Sequence, residues 1–332
     1  MNKRIKVLLS LILCIVLTFS LTGCTAEGDI SLHSVVDSLG SLFGFEIPPE
    51  ADQIIDGVDD VVDGFGELVN GVGGLIDSNT TITNEKLSIT MLDVGQGLSI
   101  LFESNGKYML YDGGDRGTSS YVVAYLKQNG ISELEYIVAS HYDSDHIAGL
   151  VGVLETTKVK NIINPDCEAT SKIYQSYRTA ANNSGANIIY PSVGDTFKLG
   201  YATLIVLAPA RDYGDANEMS VAIKVECEEF SCIVTGDAES ESEKDMLNCG
   251  IDLNCDLYVV GHHGSSSSSS DSFVKALAPE YGFISCGKDN DYGHPTDKTL
   301  ATLKKYNVEI YRSDTDGEVT CVTDGQKYKF VS

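Results

Sequence analysis

The chain reads as a mixed α/β (α+β) protein in which two β-sheets are covered by helices. Three observations predict this. Strand-length apolar runs and helical-period segments are interleaved from residue 86 to the end. Several neighbouring strands are separated by too few residues for a helical crossover, so two sheets with antiparallel pairs fit better than a doubly wound parallel sheet. The 332 residues are 42% hydrophobic, which is ordinary for a globular protein and enough for a sizeable core.

Residues 1–23 read as an export signal. Lys3, Arg4 and Lys6 form a positive start, and Leu8 to Leu21 is an apolar run that is short for a membrane span. Leu21-Thr22-Gly23-Cys24 resembles a bacterial lipoprotein cleavage site, which implies that Cys24 is lipidated and holds the chain to a membrane. The alternatives are a plain secretory signal or a short membrane anchor, and both also place the rest of the chain outside the cytoplasm. Residues 24–85 read as an acidic tether. From Ala26 to Asn84 there is no Lys or Arg, there are 12 acidic residues, and Pro48 and Pro49 interrupt it. Ile54, Ile55, Val58, Val61, Val62, Phe65 and Leu68 recur with roughly helical spacing. Weak amphipathic helices and a disordered spacer are both compatible with this stretch.

Residues 86–332 form the folded domain. Leu87 to Val94 and Leu98 to Glu103 read as strands joined at Gly95-Gln96-Gly97, and Tyr108 to Asp112 as a third strand ending at Gly113 and Gly114. Ser119 to Asn129 is helical and stops at Gly130. Leu134 to Ala139 is a short buried strand, followed by helices at Ile147 to Thr156 and Lys172 to Asn182. Strands are expected at Ala202 to Ala208, Ser220 to Glu226, Ser231 to Thr235, Leu257 to Val260 and Tyr281 to Ser285. Helices are expected at Asp271 to Leu277 and Thr299 to Tyr306, and a hairpin at the end. The six serines from Ser265 to Ser270 read as a flexible loop. Nine cysteines show no C-x-x-C pair; Cys227 and Cys232 flank a hairpin turn and could face each other, while buried free thiols are the broader expectation.

The chemistry concentrates at strand ends. His141, Asp143, Asp145 and His146 place two imidazoles and two carboxylates within six residues, a donor set that suits Zn²⁺ or Mn²⁺. In an extended segment His141 and Asp143 can reach one ion, and Asp145 and His146, at the turn into a helix, a second. Asp112, Asp237, His262 and His263 follow other apolar strands, and strand ends that converge on one sheet edge are a usual place for a site. Asp237 could instead cap the acidic segment after it. Of the adjacent histidines, one is expected to ligate and the other to pack, because neighbouring strand residues point opposite ways.

H-x-D-x-D-H at His141 to His146 resembles the H-x-H-x-D-H motif of the metallo-β-lactamase superfamily. L-D-V-G-Q-G at Leu92 to Gly97, Y-D-G-G at Tyr111 to Gly114, T-G-D-A-E at Thr235 to Glu239, V-G-H-H-G-S at Val260 to Ser265 and Y-G-H-P at Tyr292 to Pro295 are similar to the soluble hydrolase domain of ComEC competence proteins. The resemblance implies a four-layer αββα sandwich holding two divalent ions, Zn or Mn. It implies His141 and Asp143 on one ion, Asp145, His146 and one of His262 or His263 on the other, with His262 preferred, and Asp237 bridging. It further implies Asp145 and His294 as catalytic groups, and Asp112, Gly113, His263 and Ser265 as supports. Three departures stand out: Asp143 replaces a histidine, no histidine lies between His146 and His262, so Asn217 or a water takes that place, and Leu98 replaces an acidic residue.

The functional expectation is a metal-dependent phosphodiesterase outside the cytoplasm, with DNA as one substrate. A net charge of −25 argues against a whole surface built to grip nucleic acid, since such binding rests on Lys and Arg. Lys288, Lys298, Lys304, Lys305 and Arg312 are the densest basic group. A phosphocholine-type ester on surface polymers is the alternative substrate, and a non-catalytic binding protein the alternative class. β-Lactam hydrolysis fits less well, because it goes with a histidine-rich first site.

Overall fold

The computed structural model describes residue 82 and residues 84–332; the export signal, Cys24 and nearly all of the acidic tether lie outside the described residues. The domain opens with β1 (Leu87–Met91), β2 (Ile100–Ser104) and β3 (Lys107–Tyr111), then α1 (Ser119–Gln128), β4 (Glu133–Val138), α2 (Ser144–Thr156), β5 (Lys158–Ile163), α3 (Lys172–Asn183) and β6 (Asn187–Ile189). Next come β7 (Thr196–Leu199), β8 (Ala202–Ala208), β9 (Ala222–Cys227), β10 (Phe230–Val234), α4 (Ser240–Leu247) and β11 (Leu257–Val259). A single 3-10 turn (Gly261–Gly264), α5 (Asp271–Leu277), β12 (Tyr281–Ile284), α6 (Asp297–Lys305), β13 (Glu309–Arg312), α7 (Ser313–Asp316), β14 (Val319–Thr323) and β15 (Tyr328–Val331) complete it.

Two sheets result, eight strands in the order β15-β14-β1-β2-β3-β4-β5-β6 and seven in the order β13-β12-β11-β10-β9-β8-β7. Each has antiparallel and parallel parts. In the first, β3, β4, β5 and β6 run parallel, and in the second β10 to β13 do. The first and last parts of the domain meet in one sheet, where β1 pairs with β14 and Leu87 lies opposite Thr323.

Side-chain burial divides into three apolar layers. Ile89, Phe102 and Met109 meet Leu204, Ile223 and Phe283 between the sheets. Val122, Leu126, Leu150 and Tyr177 of the helices cover the outer face of the first sheet, and Met246, Phe273 and Leu303 that of the second. This is the expected αββα sandwich. Central strands sheltered on both faces lose the alternation of a one-sided strand, and all five residues of β10 are buried.

The structure adds elements absent from the expected list: β5, β6, β7, β13, α4 and α7. β6 and β7 are three and four residues long, too short to carry a pattern, and β5 carries two lysines among its six residues. The first strand ends at Met91 rather than Val94, where Val94 N–H turns back to Leu92 O. Cys227 is opposite Phe230, and Cys232 opposite Val225, so the two do not face each other, and all the described cysteines are free. Among the described residues no helix is long and apolar enough to cross a membrane.

One contact places the helix that carries the histidine cluster. α2 lies directly on the turn after β3: Gly113 N–H donates to His146 O at 2.8 Å and Gly149 N–H to Gly114 O at 3.1 Å. A Cβ on Gly149 would come within 1.8 Å of Gly113 O, and one on Gly113 within 2.6 Å of Leu150 N. Only glycine permits that approach. Gly149→Ala is expected to cost about 3 kcal/mol or more in urea denaturation, because backbone rather than a movable side chain is struck; a loss under about 1 kcal/mol would show that helix and turn can separate freely.

Candidate metal centre

The parallel strands of both sheets end at one edge, and their following turns carry the site. Asp112 comes directly after β3, His141 follows β4, Asp237 follows β10, and His262 and His263 follow β11. Asp112 sits in left-handed backbone (φ 57°) and is fully buried. Its Oδ1 accepts Ser140 N–H at 2.8 Å, and its Oδ2 accepts Ser140 Oγ–H at 2.6 Å. The same Oδ2 lies 2.7 Å from His146 Nδ1. A carboxylate only accepts, so His146 carries its proton on Nδ1 and offers a lone pair from Nε2. Ser140 Oγ also lies 3.0 Å from His141 Nδ1, and Ser220 Oγ lies 3.4 Å from it.

The far nitrogens converge. His141 Nε2 is 4.0 Å from Asp237 Oδ2, and His146 Nε2 is 3.3 Å from Asp237 Oδ1. His263 Nε2 is 3.4 Å from Asp145 Oδ2 and 3.6 Å from Asp237 Oδ2. His141, His146 and Asp237 form one group of three potential ligands, and Asp145, His146 and His263 a second. The Nε2 atoms of His141, His146 and His263, with Asp237 Oδ1, are buried and have no hydrogen-bond partner. Four buried polar atoms without hydrogen-bond partners, shared between these two neighbouring groups, are costly in a folded protein unless a cation belongs there. The residues therefore fit a divalent ion, with imidazole and carboxylate donors suited to Zn²⁺ or Mn²⁺.

The electrostatics agree. Burial alone would raise the Asp237 carboxyl, yet the facing His146 and His263 hold it well below the usual carboxylate range. Burial would likewise disfavour a proton on His146, yet Asp237, Asp112 and Asp145 outweigh it and hold its pKa well above the usual value. Asp145 is lowered in spite of its burial, by His146 and His263. The carboxylates thus create a place for positive charge, and a metal ion competes for it with protons.

His262 and His263 differ from the expectation in backbone. The strand ends at Val259, and both histidines adopt left-handed conformations (φ 52° and 54°), so strand alternation does not apply to them. His263 is the buried one, and its Nδ1–H donates to Ser285 O at 2.9 Å, which turns Nε2 into the centre. His262 is more exposed; its Nε2 is 3.5 Å from Asp237 Oδ2, and its Nδ1 is 3.3 Å from Glu239 Oε1 and 3.2 Å from Ser267 Oγ.

The remaining candidates fall around this centre. Asp143 stands at its edge, 56% exposed, with Oδ2 3.7 Å from His141 Nε2. The Asn217 amide donates to Glu239 Oε1 at 3.4 Å. Ser265 Oγ holds Ser267 Oγ at 2.9 Å and so supports His262. His294 stacks on His263 with centroids 6.4 Å apart and meets His262 edge-on at 5.6 Å. Its turn is anchored by Asn290, whose side chain bonds the backbone N–H and carbonyl of His294, and the buried ring Nδ1 has no hydrogen-bond partner. Burial, then His262 and His263, lower the His294 pKa.

Several contributors lay outside the sequence reading. The α4 N-terminus is capped not by Asp237 but by Glu218, which accepts the N–H groups of Glu239, Glu241 and Ser242. Glu243 on α4 accepts Ser269 N–H and Ser270 N–H, and Ser268 Oγ donates to Ala238 O. The serine run is thus tied down rather than loose, and it presents Ser267 to His262. The only sequence signal for this was its proximity to the histidine pair.

Residues 92–288 match the metallo-beta-lactamase superfamily, and the chain belongs to that superfamily. Within it, the chain is similar to ComEC-type competence proteins. It is 29% identical over 250 residues to ComE operon protein 3 of Bacillus subtilis, covering 70% of this chain and 32% of that protein. It is 29% identical over 239 residues to competence protein ComA of Neisseria gonorrhoeae, covering 71% of this chain and 32% of that protein. It is 30% identical over 237 residues to recombination protein 2 of Haemophilus influenzae, covering 70% of this chain and 28% of that protein. The chain spans about a third of the length of these relatives.

Two measurements follow. Asp112→Asn exchanges one of two accepting oxygens for an amide N–H₂, so Ser140 N–H and His146 Nδ1–H can no longer both be accepted, and Zn²⁺ affinity, read by competition with a chelating dye, is expected to fall about 10- to 100-fold. Burial, with Glu218 adding to it, raises the Glu243 carboxyl from 4.5 to about 7 against the pull of the Ser269 and Ser270 amides. Its folded-state pKa lies above the unfolded one, so the stability tied to its proton is complete below about pH 4.5 and lost as pH rises through about 7. Urea unfolding of wild type relative to Glu243→Gln should therefore lose up to about 3 kcal/mol between those limits; a difference independent of pH would refute the assignment.

Proposed function

We propose that this chain is a metal-dependent phosphodiesterase acting outside the cytoplasm. One observation carries the reading: the buried, unpartnered Nε2 atoms of His141, His146 and His263 and Asp237 Oδ1 converge. His141, Asp143 and Asp237 would hold one ion, and Asp145, His146, His263 and Asp237 a second. His263 takes the place expected of His262 because the Ser285 carbonyl fixes its tautomer. Two Zn²⁺ or Mn²⁺ ions there would supply Lewis-acid activation of water and of the phosphoryl oxygens.

The chain's own residues supply the rest. Asp145 is ionised and partly exposed, with Oδ2 facing His263, which suits it to orient a water or take its proton. His294, stacked on His263, is placed to donate a hydrogen bond to a phosphoryl or leaving oxygen. Asp112 and Ser140 position His146 and His141. Of the five residues in the densest basic group, two are neutralised, Lys305 by Asp271 and Arg312 by Asp314, while Lys298 donates to Ser266 O and keeps its charge. That favours a small diester, while DNA stays within the reaction class. Cys24 would carry the lipid that tethers the enzyme to a membrane.

The test is cleavage by the full chain of single- and double-stranded DNA and of a small chromogenic diester, with Mn²⁺, Zn²⁺ or chelator. Turnover should require metal, and Asp145→Asn should lower kcat by about 10²- to 10⁴-fold, with bound metal measured alongside to separate loss of the base from loss of a ligand. Bound metal without hydrolysis of any diester would sink the assignment and revive a binding role. In cells, Cys24→Ser should abolish incorporation of labelled fatty acid; unchanged labelling would remove Cys24 as the attachment site.

A further inference from the structure

A cavity of about 310 Å³ lies beside the candidate metal centre, between the turn after β4, residues 166–169 and residues 212–219. Asp143 belongs to its lining and stands 3.7 Å from the buried, unpartnered Nε2 of His141. Cavity and centre therefore share an edge. A substrate whose phosphate sits at the centre has room here for one of its two arms.

The lining is acidic on one side and apolar on the other. Asp166, Asp212 and Asp215 supply the acidic side, with one oxygen of Asp212 held by Gly214 N–H and one of Asp215 by the Asn217 and Glu218 N–H groups, and the largely buried Tyr142 and Met219 supply the apolar side. Among the described residues none of those three aspartates has an ion-pair partner; Glu168, also in the lining, is neutralised by Arg178 at 2.9 Å. The field they create is felt within the cavity. The Cys167 thiol, part of the same wall, is pushed up to about 11 by burial and by Asp166, Asp212 and Glu168.

The shape of that charge decides the kind of cation. A bare dication needs several oxygens gathered close around it. Among the described residues the groups of three close ligand atoms are the two at the metal centre, and none lies in the cavity. Carboxylates spread around an apolar wall suit a larger, softer cation, whose carbon surface meets Tyr142 and Met219 while its charge is balanced at a distance. A nucleic acid strand would bring further phosphates against these carboxylates and be repelled.

We propose that the cavity receives an organic ammonium group carried by one arm of the phosphodiester cleaved at the metal centre, so that the substrate is a zwitterionic ester rather than a polyanion. This rests on the phosphodiesterase reading, and the test separates the two. The full chain is titrated calorimetrically with choline chloride and with 3,3-dimethylbutan-1-ol, which has the same shape without the charge. Choline should bind and the alcohol should not, and Asp166→Asn combined with Asp212→Asn should weaken choline about tenfold. In parallel, p-nitrophenyl phosphocholine and p-nitrophenyl 3,3-dimethylbutyl phosphate are compared as substrates. The charged ester should be preferred by about tenfold in kcat/KM, and that ratio should collapse toward one in the double variant. Equal rates on both esters, no binding of choline, or faster cleavage of DNA than of either ester would overturn the proposal. Choline binding without hydrolysis keeps the ammonium site and discards the phosphodiesterase; hydrolysis without choline binding does the reverse.

Discussion

Everything at the site depends on one buried carboxylate. Asp112 is held in left-handed backbone at the end of β3, and it accepts hydrogen bonds from Ser140 backbone, Ser140 hydroxyl and His146. Those bonds join the ends of two parallel strands and the first turn of α2 in one knot. They also fix which nitrogen of His146 is free. A carboxylate with no exposure is expensive to bury, and its three donors are what make it tolerable. The glycine contacts beneath it serve the same end, because α2 could not bring His146 over Asp112 if Gly113 or Gly149 carried a side chain.

The second half of the site is braced from the other sheet. Ser285, at the end of β12, accepts from His263 through its carbonyl, and its hydroxyl donates to Gly97 O in the turn between β1 and β2. That same turn receives the α2 backbone, with Leu98 N–H donating to Asp145 O at 3.2 Å. Gln96 Oε1 accepts Gly287 N–H at 3.1 Å. The G-Q-G segment therefore touches both banks of the site without contributing a ligand, and it links the geometry of Asp145 to that of His263.

Much of this was legible in the sequence because apolar strands stop abruptly at polar residues. Asp112, His141, Asp237 and the His262-His263 pair all follow buried runs, and the H-Y-D-S-D-H cluster announces its chemistry by density. Where the His262 and His263 rings point was not legible, since it turns on two left-handed residues and a carbonyl 22 positions away. The same holds for Glu218, which caps α4 from 24 residues upstream, and for the buried Glu243 that fastens the serine run. Long-range pairing leaves no local pattern. β5 and β6 escaped for another reason: β6, the edge strand, is three residues long with none buried, and the two lysines of β5 interrupt its apolar run.

The pairing of β1 with β14 has a consequence for how such a unit can travel. Lys86 N–H donates to Thr323 O at 2.8 Å, and Val331 lies opposite Thr320, itself opposite Thr90. The chain thus enters and leaves the sandwich within one strand's length, on the same margin of one sheet. A unit whose two ends lie on one margin can be spliced into a longer polypeptide as a cassette, without threading through its host or reordering its own strands. The entry lies at the strand ends away from Asp112, while the exit at Val331 is level with Leu110, four strands across the sheet. A segment joined at the exit would flank the rim of the candidate site, and one joined at the entry would lie on the opposite side.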